Sequence, residues 1–172
     1  MGSSVFTYHR GRVVEAAFTR PADTTTYAAG DVMGTAATTP ITFAGATLTG
    51  NGFTIIQKAI LYSSANVATK ADIDLFLFHT TLTPAADNAA FAPGDSTLLT
   101  AVGVINFPTG GWTVGAAASG AGGNAMCVVK DIQLPIVSAS ASKGDMFGVM
   151  VVRNAYAPIS GEVFTVRLGV VD

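Results

Sequence analysis

Short runs of alternating apolar and polar positions, broken by glycine, proline, asparagine and threonine clusters, dominate this chain and predict β-strands. The runs are Val13–Thr19, Ile41–Phe43, Phe53–Ser63, Ile73–His79, Leu98–Phe107, Ala125–Pro135, Asp145–Arg153 and Glu162–Val171. Between them lie turn formers such as Thr49-Gly50-Asn51-Gly52, Pro108-Thr109-Gly110-Gly111 and Ser142-Lys143-Gly144-Asp145, where glycine tolerates the positive φ of tight turns. In Val163–Val170, Phe164, Val166, Leu168 and Val170 form one wholly apolar face, opposed by Val163, Thr165, Arg167 and Gly169. That face should pack on a core. Ile73–His79 carries large apolar groups on both faces, Ile73, Leu75 and Leu77 against Phe76 and Phe78. A strand of that kind belongs in the middle of a sheet, covered on both sides. Phe53–Ser63 reads the same way, with Ile55, Gln57, Ala59 and Leu61 alternating with Ile56, Lys58, Ile60 and Tyr62.

Helical signal is weak. Pro84–Phe91 is the one stretch that could make a helical turn or two, and it reads equally well as a loop. Strands at this spacing, without intervening helices, predict an all-β fold. The expected fold is a single β-sandwich of mostly antiparallel strands, with a jelly roll among its candidate topologies. It is read as one domain over residues 1–172, with residues 1–12 as a candidate extended N-terminal arm.

Composition sharpens the picture. The chain has 172 residues and is 49% hydrophobic, yet only 12% of it is charged, with a formal net charge of -2. Nine basic residues among eleven acidic ones are too few to form the cationic field that neutralises phosphates, so nucleic acid is not an expected partner. Val32–Gln57 and Ser96–Val129 contain no charged residue. Charge depletion is typical of buried interface cores, so burial of at least one of these stretches against another protein is expected, although Ala, Gly, Ser and Thr can also leave it wettable. Neither stretch reads as a membrane span, since prolines, glycines and polar residues interrupt both. The N-terminal residues lack the charged and apolar regions of a signal peptide. Cys127 is the single cysteine, which fits synthesis in a reducing cytoplasm and excludes an internal disulfide.

Reagents for catalysis are scarce. There are two histidines, His9 and His79, and two glutamates, Glu15 and Glu162, and no Gly-x-Ser-x-Gly nucleophile elbow. Cys127 lies in Ala125–Val129, a run that reads as a buried strand. Asp72 and Asp74 share a strand face near His79 and could ligate Ca²⁺, or simply mark the exposed end of the strand and pair with Lys70 or Arg153. Gly120-Ala121-Gly122-Gly123-Asn124 precedes a strand instead of a helix, so it is a turn and not a phosphate cradle. Trp112, beside Gly110-Gly111, could serve as a sugar platform or pack at a sheet edge or subunit contact. No catalytic residue, metal ligand or cofactor is expected.

The segment Ala17-Phe18-Thr19-Arg20-Pro21-Ala22-Asp23-Thr24-Thr25-Thr26-Tyr27-Ala28-Ala29-Gly30-Asp31-Val32 resembles one found in small structural proteins of tailed bacteriophages, of the head decoration or cement type. Thr69–Phe78 and Asp87–Asp95 add to the likeness, while the rest of the chain shares only its β-rich, low-charge character. Read for itself, the segment is a turn after the first strand followed by an extended arm. Arg20 can bridge to a carboxylate, with Asp23 and Asp31 as candidates, either inside the fold or across a subunit boundary. Arg20, Asp23, Tyr27 and Trp112 are therefore the candidate interface residues. The resemblance implies a non-enzymatic virion protein on the capsid surface, made in the bacterial cytoplasm. It also implies two partners, the major capsid protein and its own copies, with trimers suiting local threefold sites. A tail, neck or fibre component and a carbohydrate-binding sandwich are the alternatives.

Overall fold

A computed structural model of the chain describes residues 11–47, 53–67, 69–115, 124–137 and 144–172. Its strands are β1 (Gly11–Thr19), β2 (Val32–Met33), β3 (Ile41–Thr47), β4 (Phe53–Ser63), β5 (Ile73–Phe78), β6 (Ala101–Phe107), β7 (Trp112–Val114), β8 (Ala125–Val129), β9 (Leu134–Val137), β10 (Gly144–Val152) and β11 (Val163–Val171), with a helical turn, α1, at Asp95–Leu98 and a 3-10 turn at Thr109–Gly111.

Two antiparallel sheets face each other. One runs β1-β11-β4-β8-β7, and the other β2-β10-β5-β6. Two interruptions hide a simpler plan. β8 pairs with Ala59–Ser63 of β4 and β9 with Phe53–Ile56, so both occupy one strand position. Likewise Met33 of β2 lies opposite Met150 and Ile41 of β3 opposite Gly148, so these two share the position beside β10. With the halves merged and the short edge strand β7 set aside, the sheets read β1, β11, β4, β8/β9 and β2/β3, β10, β5, β6. The chain crosses between layers in the order that winds a jelly roll.

The core fills the space between the inner faces. Val166 and Leu168 of β11, Ile56 and Leu61 of β4, Ile73 and Leu75 of β5 and Met150 of β10 are all fully buried. Phe18 stacks on Phe164 at 5.7 Å between ring centroids. Burying each such side chain contributes about 1.5–3 kcal/mol. The apolar face of β11 packs inward as its alternation requires. β5 sits between β10 and β6, and its second face is covered too. Phe78, Val149, Val151 and Val32 form a smaller cluster there, lidded by Leu82, Ala85 and Phe91. Arg12 closes one side of the sandwich, donating to the carbonyls of Gly45 and Ala46 on β3.

Several expectations need correction. In β4 the pairing with β11 shifts register between Gly169 and Val170, which leaves Gln57 and Lys58 both exposed. The inward set therefore changes from Thr54 and Ile56 to Ala59, Leu61 and Ser63, and the simple alternation through Gln57 fails. Among the described residues no segment covers the outer side of β4 at Gln57 and Lys58. Ala125–Pro135 is two strands, because Asp131 and Gln133 adopt φ of 56° and 51°, which strand pairing does not accommodate. Of the two readings left open for Pro84–Phe91, the loop holds. Its turn at Asp87–Asn88 is held instead by bonds from Asn88 N to Val32 O and from Phe91 N to Gly30 O. Gly11 and Arg12 belong to β1 and not to an arm, while residues 1–10 lie outside the described residues.

Candidate interaction surfaces

β1 ends where Pro21 follows Arg20, and the Arg20 side chain turns inward. Its backbone N–H donates to Glu162 O at 2.9 Å. The guanidinium reaches Asp87 Oδ2 at 3.4 Å and Asp23 Oδ1 at 3.5 Å, and its Nε donates to the Tyr27 hydroxyl. That hydroxyl donates to Asp87 Oδ1 at 2.6 Å, and Gly34 N donates to the same oxygen at 2.9 Å. Tyr27 stacks on Tyr156 at 6.3 Å, and the Tyr156 hydroxyl lies 2.8 Å from both carboxylate oxygens of Glu162. Ser63 donates to that carboxylate as well.

Electrostatics follow from burial. Desolvation, then the bond to Asp87, pushes the Tyr27 pKa far up; desolvation and the Glu162 charge do the same to Tyr156. Burial alone would lower the Arg20 pKa, but its bond to Tyr27 and the Asp87 and Asp23 carboxylates leave it raised. The cluster thus clips residues 20–34, 79–94 and 154–162 together and ties them through Ser63 to β4. Each of its buried polar groups is satisfied by another, as burial demands.

Of the candidate interface residues, Arg20 and Tyr27 are 2% and 0% exposed, so a partner can meet them only through the residues around them. The Asp23 side chain remains partly exposed, its Oδ1 accepting from Thr25 N at 3.0 Å. Asp31 turns away from Arg20 and accepts from Ala28 N at 2.7 Å. Asp87, the principal partner of Arg20, carries no local signal that could reveal it, being 67 residues away. Trp112 is half-buried against the core, and its indole N–H donates to Ala71 O at 2.8 Å.

Asp72 and Asp74 both accept from Asn106 Nδ2 at 2.8 Å, and Asp74 also pairs with Arg153 Nε at 2.6 Å. His79 is exposed just beyond the far end of β5. Among the described residues no group of three or more His, Cys, Asp or Glu side chains is placed to hold a metal ion. Cys127 is fully buried in β8, and desolvation raises its thiol pKa to about 11. Residues 120–123 of the glycine-rich segment lie outside the described residues.

The uncovered apolar surface lies elsewhere, on the outer face of the six-stranded sheet. Val13 is 64% exposed, and Met126 and Val163 are also exposed. Tyr62, Val114, Met126 and Val163 line a hollow of about 490 Å³. Charges on this face are sparse: Glu15 pairs with Arg167, and Lys58 stands beside them in the strand register. At the end of the other layer, Leu98 of α1 and Leu99 just after it are exposed, the latter 84%. The alternation of β11 already assigns Arg167 and Gly169 to the outer face, whereas nothing local marks Leu99 as exposed.

No family model and no curated protein matches the chain. Similar solved structures include a capsid of Ralstonia phage GP4, 17% identical over 100% of this chain and 89% of that chain, with a TM-score of 0.36. Another is the Cyanophage Pam1 capsid asymmetric unit, at 12% identity over 99% and 91% and a TM-score of 0.35. A third is Desmodium yellow mottle tymovirus, at 10% identity over 99% and 90% and a TM-score of 0.31. The strand order alone carries the jelly-roll assignment.

Proposed function

We propose that this chain is a non-enzymatic structural protein of a phage particle, a decoration or cement protein that stabilises the head through repeated protein–protein contacts. The observation that carries the reading is the outer face of the six-stranded sheet, where Tyr62, Val114, Met126 and Val163 line an open hollow that has no charged side chain among its lining residues. Exposed apolar surface of this kind marks interaction sites. The resemblance of residues 17–32 to head decoration proteins supports the choice of partner, the major capsid protein together with further copies of this chain. Contacts repeated by symmetry add up even when each is weak, since most of the gross apolar term, about 25 cal/mol per Å², is offset by lost freedom.

The setting of Trp112 argues against the carbohydrate alternative, because its indole N–H is already donated and its ring is packed. Among the described residues no helix is long and apolar enough to cross a membrane. The test is co-sedimentation of the purified protein with heads, and separately with tails, of a phage that carries this gene, each prepared without it. Saturable binding to heads is expected. Binding to tails only would make the chain a tail or neck component, and binding to neither would overturn the proposal.

A further inference from the structure

The Asp95–Leu99 tip and the hollow over Gly169 are complementary, and we propose that copies of this chain associate head-to-tail, the tip of one seated in the hollow of the next. This deepens the assembly reading above and rests on it.

The hollow exists because of a missing side chain. Val13, Gly169 and Lys58 lie opposite one another across three strands, and Glu15, Arg167 and Ile60 form the next row. With no side chain at 169, these residues enclose a shallow space of about 540 Å³, floored by backbone and walled by Val13 and Ile60. Lys58 is exposed and has no hydrogen-bond or ion partner among the described residues, while Arg167 shares its charge with Glu15. The hollow is therefore apolar along Val13 and Ile60, and its rim of Lys58, Arg167 and Glu15 carries one net positive charge.

The tip has the opposite character. α1 carries Asp95 in its first turn and no basic residue in its last. Leu98 and Leu99 are 45% and 84% exposed. The sequence from Thr80 to Phe107 contains no Lys or Arg, so nothing local neutralises Asp95. An exposed leucine pair beside a carboxylate that is unpaired among the described residues fits a hollow with apolar walls and an ammonium, likewise unpaired there, at its edge. Such a rim charge steers and orients, while the buried leucine supplies the apolar contact.

Tip and hollow lie on different layers of one sandwich, so a copy that offers its tip still has its own hollow free. The contact is heterologous: it closes into a ring if the rotation permits and otherwise runs on as a chain.

Four substitutions test this, read as absolute molar mass of the full chain across a range of concentrations. Gly169→Val fills the hollow at little cost to the fold, since a Cβ there meets only the Lys58 Cβ at 3.5 Å and its carbonyl oxygen at 3.7 Å. Leu99→Ser strips the tip. Each is expected to weaken self-association by about tenfold or more, with thermal unfolding near wild type for both. Lys58→Asp and Asp95→Lys should each weaken it at low salt, and the double variant should recover most of the loss. Self-association that Gly169→Val and Leu99→Ser leave unchanged overturns the contact, as does a wild-type protein monomeric at every concentration. Head binding retained alongside either result leaves the capsid reading standing; loss of head binding as well ends both.

Discussion

The Arg20 guanidinium and the Asp87 carboxylate meet at 3.4 Å across 67 residues of sequence, with the Arg20 side chain fully buried. Asp87 also accepts from Tyr27 and Gly34, so one carboxylate ties the turn after β1 to the loop that lids the five-stranded sheet. Removing one partner of a buried pair leaves an uncompensated charge, which costs more than the pair itself contributes. Asp87→Ala should therefore destabilise the fold by about 3–5 kcal/mol, measured as a shifted urea midpoint. Asp23→Ala, at the exposed side of the same guanidinium, should leave the midpoint near wild type. Equal effects of the two would mean that Asp87 is not the main counter-charge.

A second prediction follows from the neutral groups trapped in the core. Burial raises the Cys127 pKa from 9.0 to about 11 and raises both Tyr27 and Tyr156 above their usual value of 10.0. Raised folded values stabilise fully below the unfolded pKa and lose that contribution as pH climbs toward the folded one. The urea midpoint should thus show no loss from these groups up to about pH 9 and should fall above it. A thiol reagent at neutral pH should modify Cys127 only as fast as the protein unfolds, since the thiol is buried and the thiolate disfavoured. Rapid labelling of the folded protein would contradict the buried placement.

How much of this was legible in the sequence depended on how local the cause is. β4 begins and ends at Phe53 and Ser63 as its composition suggests, and the apolar face of β11 was plain, because alternation is a two-residue property. The slip at Gln57–Lys58 was not legible, since a bulge is decided by the partner strand. The break in Ala125–Pro135 was hidden too, because Asp131 and Gln133 take positive φ without a glycine to announce it. Arg20 was legible as a pairing residue, and Asp23 as one partner. Asp87, the partner shielded from water, depends on how the 79–94 segment folds back.

Side-chain packing on the inner face of the five-stranded sheet predicts a contrast between two glycines. A Cβ at Gly148 would stand 2.9 Å from Leu75 Cδ1 and 3.0 Å from Phe43 Cε2, inside a core that has no slack. Gly148→Ala should cost about 1–3 kcal/mol through overpacking. Gly110→Ala, where a Cβ meets nothing within 4 Å, should be close to neutral. Thermal or urea unfolding of the pair decides the point, and an unperturbed Gly148→Ala would mean that the Leu75 and Phe43 side chains on the flanking strands β5 and β3 give way to the added methyl.

The carboxylates of Asp72 and Asp74 are committed to protein donors. Asn106 Nδ2 bridges their Oδ1 atoms, and Arg153 holds Asp74 Oδ2. Ca²⁺ requires six to eight oxygen ligands, and here an amide and a guanidinium stand where the ion would sit. Calcium in the millimolar range should therefore leave the wild-type unfolding temperature unchanged, since a ligand stabilises only by binding the folded state. Asn106→Asp replaces the bridging donor with a third carboxylate, and like charges at that distance repel. That variant should melt lower in the absence of calcium and recover when calcium is added. A calcium-dependent rise in the wild-type protein would show instead that Asn106 and Arg153 yield to an ion, and that this end of β5 is a binding site.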